Sequence, residues 1–289
     1  MEESPGRDRK FRTSFSDLRK SLSRLSFETH FDSPKRDLKR NLALFFELDD
    51  DDQDRAVHLM QSTRFESWLT SIKSSALLIN GNAPVPAGNR GGPLSFVAAK
   101  ILDSLQKVSN KSASGIIRLH YFCDEHVDQS KDPDASPSGL MNSLLAQLLT
   151  GYEDFDLSTV HNLKNVDTES TRALCKLFAK LVSQLPEEIL VFCVIDGLSH
   201  YDDEERRGDR EELLDRLTAL TRRNKQGGGC KFKLLLTARN RLYSDCLETK
   251  EVFTLPSVVE RGDGFTAMKW NVKAGRSIRD LSSRVGIRS

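Results

Sequence analysis

An unbroken apolar run, Ile189–Ile195, stops abruptly on Asp196 and Gly197. A strand with one solvated face alternates apolar and polar residues. A strand apolar at every position is buried on both faces, as in parallel sheets covered by helices. The run is too short for a membrane helix, which needs about 20 apolar residues. A carboxylate at the end of such a strand sits at the carboxyl edge of the sheet, where open α/β sheets bind ligands. Asp196 is also readable as a plain turn residue, because Asp caps strand-to-loop turns.

The flanking segments carry the alternating pattern such a sheet requires. Thr63 and Glu66 have capping-box spacing, and Phe65, Trp68, Leu69 and Ile72 share a helical face. Ala76–Asn80 reads as a buried strand, followed by a Gly/Pro-rich loop from Gly81 to Pro93 and a helix over Ser95–Val108. Ile116–Phe122 is a second strand. Ser136 before Pro137 is an N-cap with proline at the first helical position, opening a Leu-rich helix. Helices follow at Leu174–Leu185, stopped by Pro186, and at Leu213–Leu220; strands follow at Phe232–Thr237 and Val252–Leu255. Strands alternating with helices predict an α/β fold: a doubly wound, mainly parallel five-stranded sheet with helices on both faces.

Apolar residues concentrate between Phe65 and Leu255, which divides the chain into an α/β domain at 56–260 and two flanks. Residues 1–55 read as a basic, Ser-rich, largely disordered arm, with Leu18, Leu22 and Leu25 at helical spacing. It ends in the acidic run Asp49–Asp52, expected to be solvated. Asn41–Leu48 is apolar enough to dock on the domain. Residues 261–289 read as a basic tail with seven Lys/Arg against two Asp. Over the whole chain Lys+Arg number 43 and Asp+Glu 42, a net charge of +1. This balance gives no pull toward nucleic acid or anionic membrane, so neither is an expected partner. The five cysteines are odd in number and form no CxxC, which suits reduced thiols in the cytoplasm, with the nucleus left open.

The loop between the first strand and helix has the frame of a phosphate-binding loop, G-x-x-x-x-G-K-[ST]. Gly88 stands at the first Gly and Ser95 at the Ser/Thr, but Pro93 replaces the second Gly and Leu94 the Lys. Proline has no N–H to offer a phosphate and fixes φ; leucine cannot neutralise phosphate charge. Arg90 is the loop cation placed to substitute. The run ending in Asp196-Gly197 fits the Walker B strand, whose carboxylate orients the Mg²⁺ shell.

These segments occur in a recognisable order: Trp68-Leu69, Leu77–Gly81, Tyr121–Asp124, Ser136-Pro137, Leu144–Leu149, Val194–Gly197 and Lys233–Arg239. The set resembles the NACHT/STAND-type P-loop NTPase domains of large fungal signalling proteins, of the nephrocystin-3-like N-terminal type. The resemblance implies a strand order 5-1-4-3-2. It also implies Ser95 as the Mg²⁺-binding hydroxyl, Asp196 as the Walker B Asp and Arg239 as the sensor after the fourth strand. A bound nucleotide would then meet Gly88, Arg90, Ser95, Asp196, Gly197 and Arg239, with Mg²⁺ on Ser95 and Asp196. Such domains carry acids shortly after the Walker B Asp-Gly, where this chain has Leu198, Ser199 and His200.

The expectation is a degenerate NTPase-like module for regulation or protein interaction, binding nucleotide weakly or not at all and hydrolysing none. The alternative is an active Mg²⁺-dependent ATPase or GTPase in which Arg90 replaces the Walker A Lys. No cofactor is certain, and Mg²⁺ with ATP or GTP belongs to the alternative. The protein partner is not legible, and self-association is compatible with the sequence. His120, Cys123 and His126 are not expected to bind metal, because residues three apart on a strand face opposite sides.

Overall fold

The computed structural model describes residues 29–82, 91–109, 115–132, 134–155, 167–223, 229–262 and 264–285. Its centre is a five-stranded sheet of β1 (Ser75–Asn80), β2 (Ile116–Phe122), β3 (Leu190–Asp196), β4 (Lys231–Ala238) and β5 (Val252–Thr254). The spatial order is β2-β3-β4-β1-β5 and every pairing is parallel, the expected order read from the opposite edge. β3 is buried at every position, as its unalternating sequence requires.

Successive strand residues point to opposite faces, so the apolar strands build two cores. On one face Leu119, Cys193 and Leu234 pack with α5 (Pro137–Gly151), α6 (Thr171–Val182) and α7 (Arg207–Arg223). On the other, Leu77, Phe192 and Leu235 pack with α2 (Asp50–Gln61), α3 (Thr63–Thr70) and α4 (Pro93–Ser109). The N-cap expected at Ser136 is present, its hydroxyl accepting the Gly139 N–H at 3.0 Å. α3 is capped one residue earlier than its spacing suggests, by Ser62 and not Thr63, the Ser62 hydroxyl accepting the Phe65 N–H.

Both flanks depart from expectation. The stretch Ser16–Phe27 lies outside the described residues, but residues 29–46 and 50–61 are helical where a disordered arm and a solvated boundary were expected. α1 (Thr29–Ala43) runs along the outer edge of β2 and is continued by a 3₁₀ turn, Leu44–Phe46. It buries Asp37 and Asn41 and packs Leu38, Leu42, Leu44 and Phe45 against the core, so the docking expected of Asn41–Leu48 holds for this segment. The acidic run is a helix start: Asp49 accepts the Asp52 N–H at 2.8 Å, and the carboxylates after it oppose the helix dipole favourably.

At the other end, the expected basic tail contains α8 (Ala267–Val272) and α9 (Ala274–Arg284). Trp270 on α8 is buried, as are Ala274, Ile278 and Leu281 on α9, which have the spacing of one helical face. Positive charge on the remaining positions had masked that stripe. Among the described residues, no helix is long and apolar enough to cross a membrane.

Candidate functional site

The chain leaves β1 toward β2 at one edge of the sheet and leaves β4 toward β5 at the other, so the carboxyl ends of β1 and β4 form a crevice. The two ends meet closely. Gly81 donates its N–H to the Ala238 carbonyl at 2.7 Å, and a Cβ on Gly81 would lie 2.7 Å from the Arg239 carbonyl oxygen. A cavity of about 470 Å³ opens there. Ser95, Asp196, Gly197 and Arg239 all line it, although they come from three separate stretches of chain. Gly88 and Arg90 lie outside the described residues.

Asp196 is fully buried at the end of β3. The Thr237 hydroxyl on neighbouring β4 donates to Asp196 Oδ1 at 2.5 Å and accepts the Gly197 N–H at 3.0 Å. Asp196 Oδ2 has no hydrogen-bond partner among the described residues. Burial, then the neighbouring carboxylate of Asp124, pushes the Asp196 carboxyl up to about 7, against the opposing pull of the Ser95 and Thr237 hydroxyls and Arg239. Gly197 takes φ 71, and a Cβ there would stand 2.9 Å from Asp124 Oδ1, so this position admits glycine alone on two grounds.

Asp124 closes the family-like segment Tyr121–Asp124, but its place at the site is not legible from the sequence; it arrives from the end of β2, where Phe122 pairs in register with Asp196. It is 2% exposed, touches His200 Nε2 and lies 3.3 Å from an Arg239 nitrogen. The available signal was an Asp two residues beyond a strand, of the same kind that identified Asp196.

Arg239 acts as a cross-link. Its side chain donates to the Gly91 carbonyl at 2.8 Å and meets Asp124, and its backbone N–H donates to Ser199 Oγ at 3.1 Å. Arg55, also missed, is buried beside the cavity. Its guanidinium donates to the carbonyls of Gly81, Pro256 at 3.1 Å and Ser257 at 3.2 Å. Pro93 opens α4 and Leu94 is 8% exposed on the cavity wall. Gly91, at φ 72, is backed by Leu44, whose Cδ1 would be 2.5 Å from a Cβ there.

Residues 55–239 match the family model described as Nephrocystin 3, N-terminal. The chain belongs to the nephrocystin-3 N-terminal family. The matched stretch begins at Arg55 and ends at Arg239, both on the cavity wall, and so encloses Ser95, Asp124 and Asp196. No curated protein matches the chain.

In this nephrocystin-3 N-terminal domain, Ser95 and Asp196 bring to one cavity a hydroxyl and a carboxylate, the kinds of group that hydrated Mg²⁺ uses in phosphate-bound sites. The phosphates that would hold such an ion are poorly served. Position 93 offers no N–H, position 94 offers no ammonium, and both cavity-wall arginines beside the sheet are engaged by protein oxygens. Among the described residues, positions 93 and 94 thus leave a triphosphate short of one backbone donor and one cation. His120 and His126 have separate partners: His120 Nε2 meets the Pro34 carbonyl at 2.9 Å, and His126 bridges Asp37 and Asp132.

Proposed function

We propose that this domain is a STAND/NACHT-like NTPase module with a degenerate Walker A loop, acting inside the cell in regulation or protein interaction. In this reading it binds nucleotide weakly or not at all and does not hydrolyse it. The observation that supports the reading is the start of α4: Pro93 and Leu94 line the cavity there, and by the spacing from Gly88 to Ser95 they fall where a phosphate loop carries its second Gly and its Lys. A phosphate at a helix N-terminus is held by backbone N–H groups and a charge-assisted side chain. Here one of each is missing.

A second reading, an active Mg²⁺-dependent ATPase or GTPase with Arg90 in place of the Lys, draws support from the convergence of Ser95, Asp196 and Arg239 on one cavity. Calorimetric titration with ATP and GTP, with and without Mg²⁺, separates the two. Under the favoured reading the wild type shows no tight Mg²⁺-dependent binding. The double variant Pro93→Gly with Leu94→Lys gains it, because each restored donor contributes about 1.5–3 kcal/mol to a charged phosphate. Nucleotide turnover by the wild type that Asp196→Ala abolishes would establish the second reading.

A further inference from the structure

We propose that the cavity at the carboxyl ends of β1 and β4 binds an aliphatic polyamine, with one ammonium against Asp196 and another against the Asp49–Asp52 run at its mouth. The first ground is the balance of donors and acceptors. Asp49, Asp51, Asp52 and Asp196 line the cavity. The Arg55 guanidinium is taken up by three backbone carbonyls, and Arg239 by the Gly91 carbonyl and Asp124. Arg261, at the rim, is 91% exposed and lies 4.0 Å from Asp51, a solvent-screened contact. Among the described side chains of the wall, open acceptors therefore outnumber open donors, which suits a ligand that donates hydrogen bonds and carries positive charge.

The second ground is independent of the acidic run. Asp196 is 0% exposed and lines the cavity; the Ser95 hydroxyl stands beside its carboxyl, but Oδ2 has no well-formed hydrogen bond among the described residues. A buried carboxylate oxygen in that state is strongly unfavourable unless a donor supplies its hydrogen bond. The wall also includes Leu94, Leu255, Val258 and Val259. Methylene segments between ammonium groups suit a wall that carries both carboxylates and apolar side chains. Asp49 caps the helix, and burial, then the Asp49 carboxylate, raises Asp52 above its ordinary value against the opposing pull of Arg55. A cation at the mouth relieves that repulsion.

The inference rests on the reading that triphosphate does not dock here, and the two are separated by the probe. Spermidine titrated calorimetrically at near-physiological salt is expected to bind at one site per chain. Asp196→Asn and, separately, Asp52→Asn are each expected to weaken it about tenfold or more, the loss of one charge-assisted contact. Asp52→Asn is the safeguard should the buried substitution disturb the fold, which near-ultraviolet circular dichroism reads directly. The uncharged analogue 1,8-octanediol is expected not to bind. Equal spermidine affinity in wild type and both variants would overturn the proposal, as would binding at many sites that salt removes. Tight MgATP binding that spermidine does not displace would overturn the reading beneath it.

Discussion

Replacing Asp196 by Asn should stabilise the protein near neutral pH. The carboxyl rises from 3.8 to about 7 because burial and the adjacent Asp124 disfavour its charge. At about 1.4 kcal/mol per pH unit, the ionised form costs the native state a few kcal/mol, on the order of 4. Because the native value lies above the unfolded one, the native state holds its proton longer, and stability falls as pH climbs between the two. Near pH ~4 the cost is small, and above pH ~7 it is fully present. Asparagine keeps the shape, and its Oδ1 can still accept the Thr237 hydroxyl that binds Asp196 at 2.5 Å. Urea unfolding of wild type and Asp196→Asn across this range should therefore show a gap that opens with pH in favour of the variant. A variant less stable than wild type by the same amount at pH ~4 and pH ~8 would refute the argument. The charge of Asp196 would then be a net stabiliser, and its burial would be no sign of a site held ready for a ligand.

Two further substitutions test how the site is framed. Lys233 is fully buried on β4 and brought down to about 7 by burial, its ammonium donating to the carbonyls of Trp68 and Ser71 at the end of α3. Lys233→Met strips those carbonyls of their donor and should cost about 1–3 kcal/mol in thermal or denaturant unfolding; an unchanged melting temperature would contradict the capping role. His126 lies between Asp132, at 2.5 Å, and Asp37 of α1, at 3.2 Å. Burial opposes its charge, but the hydrogen bonds to the two carboxylates together raise it above 6.5. That stabilisation is complete below pH ~6.5 and lost as pH rises through the higher native value. Asp37→Asn should thus lower stability, and hydrogen-exchange protection of residues 29–43, by about 1.5–3 kcal/mol in mild acid and by less in alkali. A deficit independent of pH would count against the ion pair.

The sheet and its helices were legible in the sequence because their signals are local. The run Ile189–Ile195, the Ser136-Pro137 start and the apolar stripes at helical spacing each depend on residues within a few turns of one another. Asp196 was legible for the same reason, as a charge ending an apolar strand. The flanks were not. α1 and α9 carry so much charge on their outer faces that composition hides the inner stripe, and their order comes from packing against the sheet. Asp124 and Thr237 belong to the site only because parallel pairing brings the ends of β2 and β4 beside the end of β3. Arg55 and the acidic run reach the same cavity only because α2 folds back over it. Strand identity is written in side-chain pattern, whereas the acidity of the cavity, the engagement of its arginines and the unmet oxygen of Asp196 are sums over distant segments. Those exist only once the chain has closed the crevice between β1 and β4.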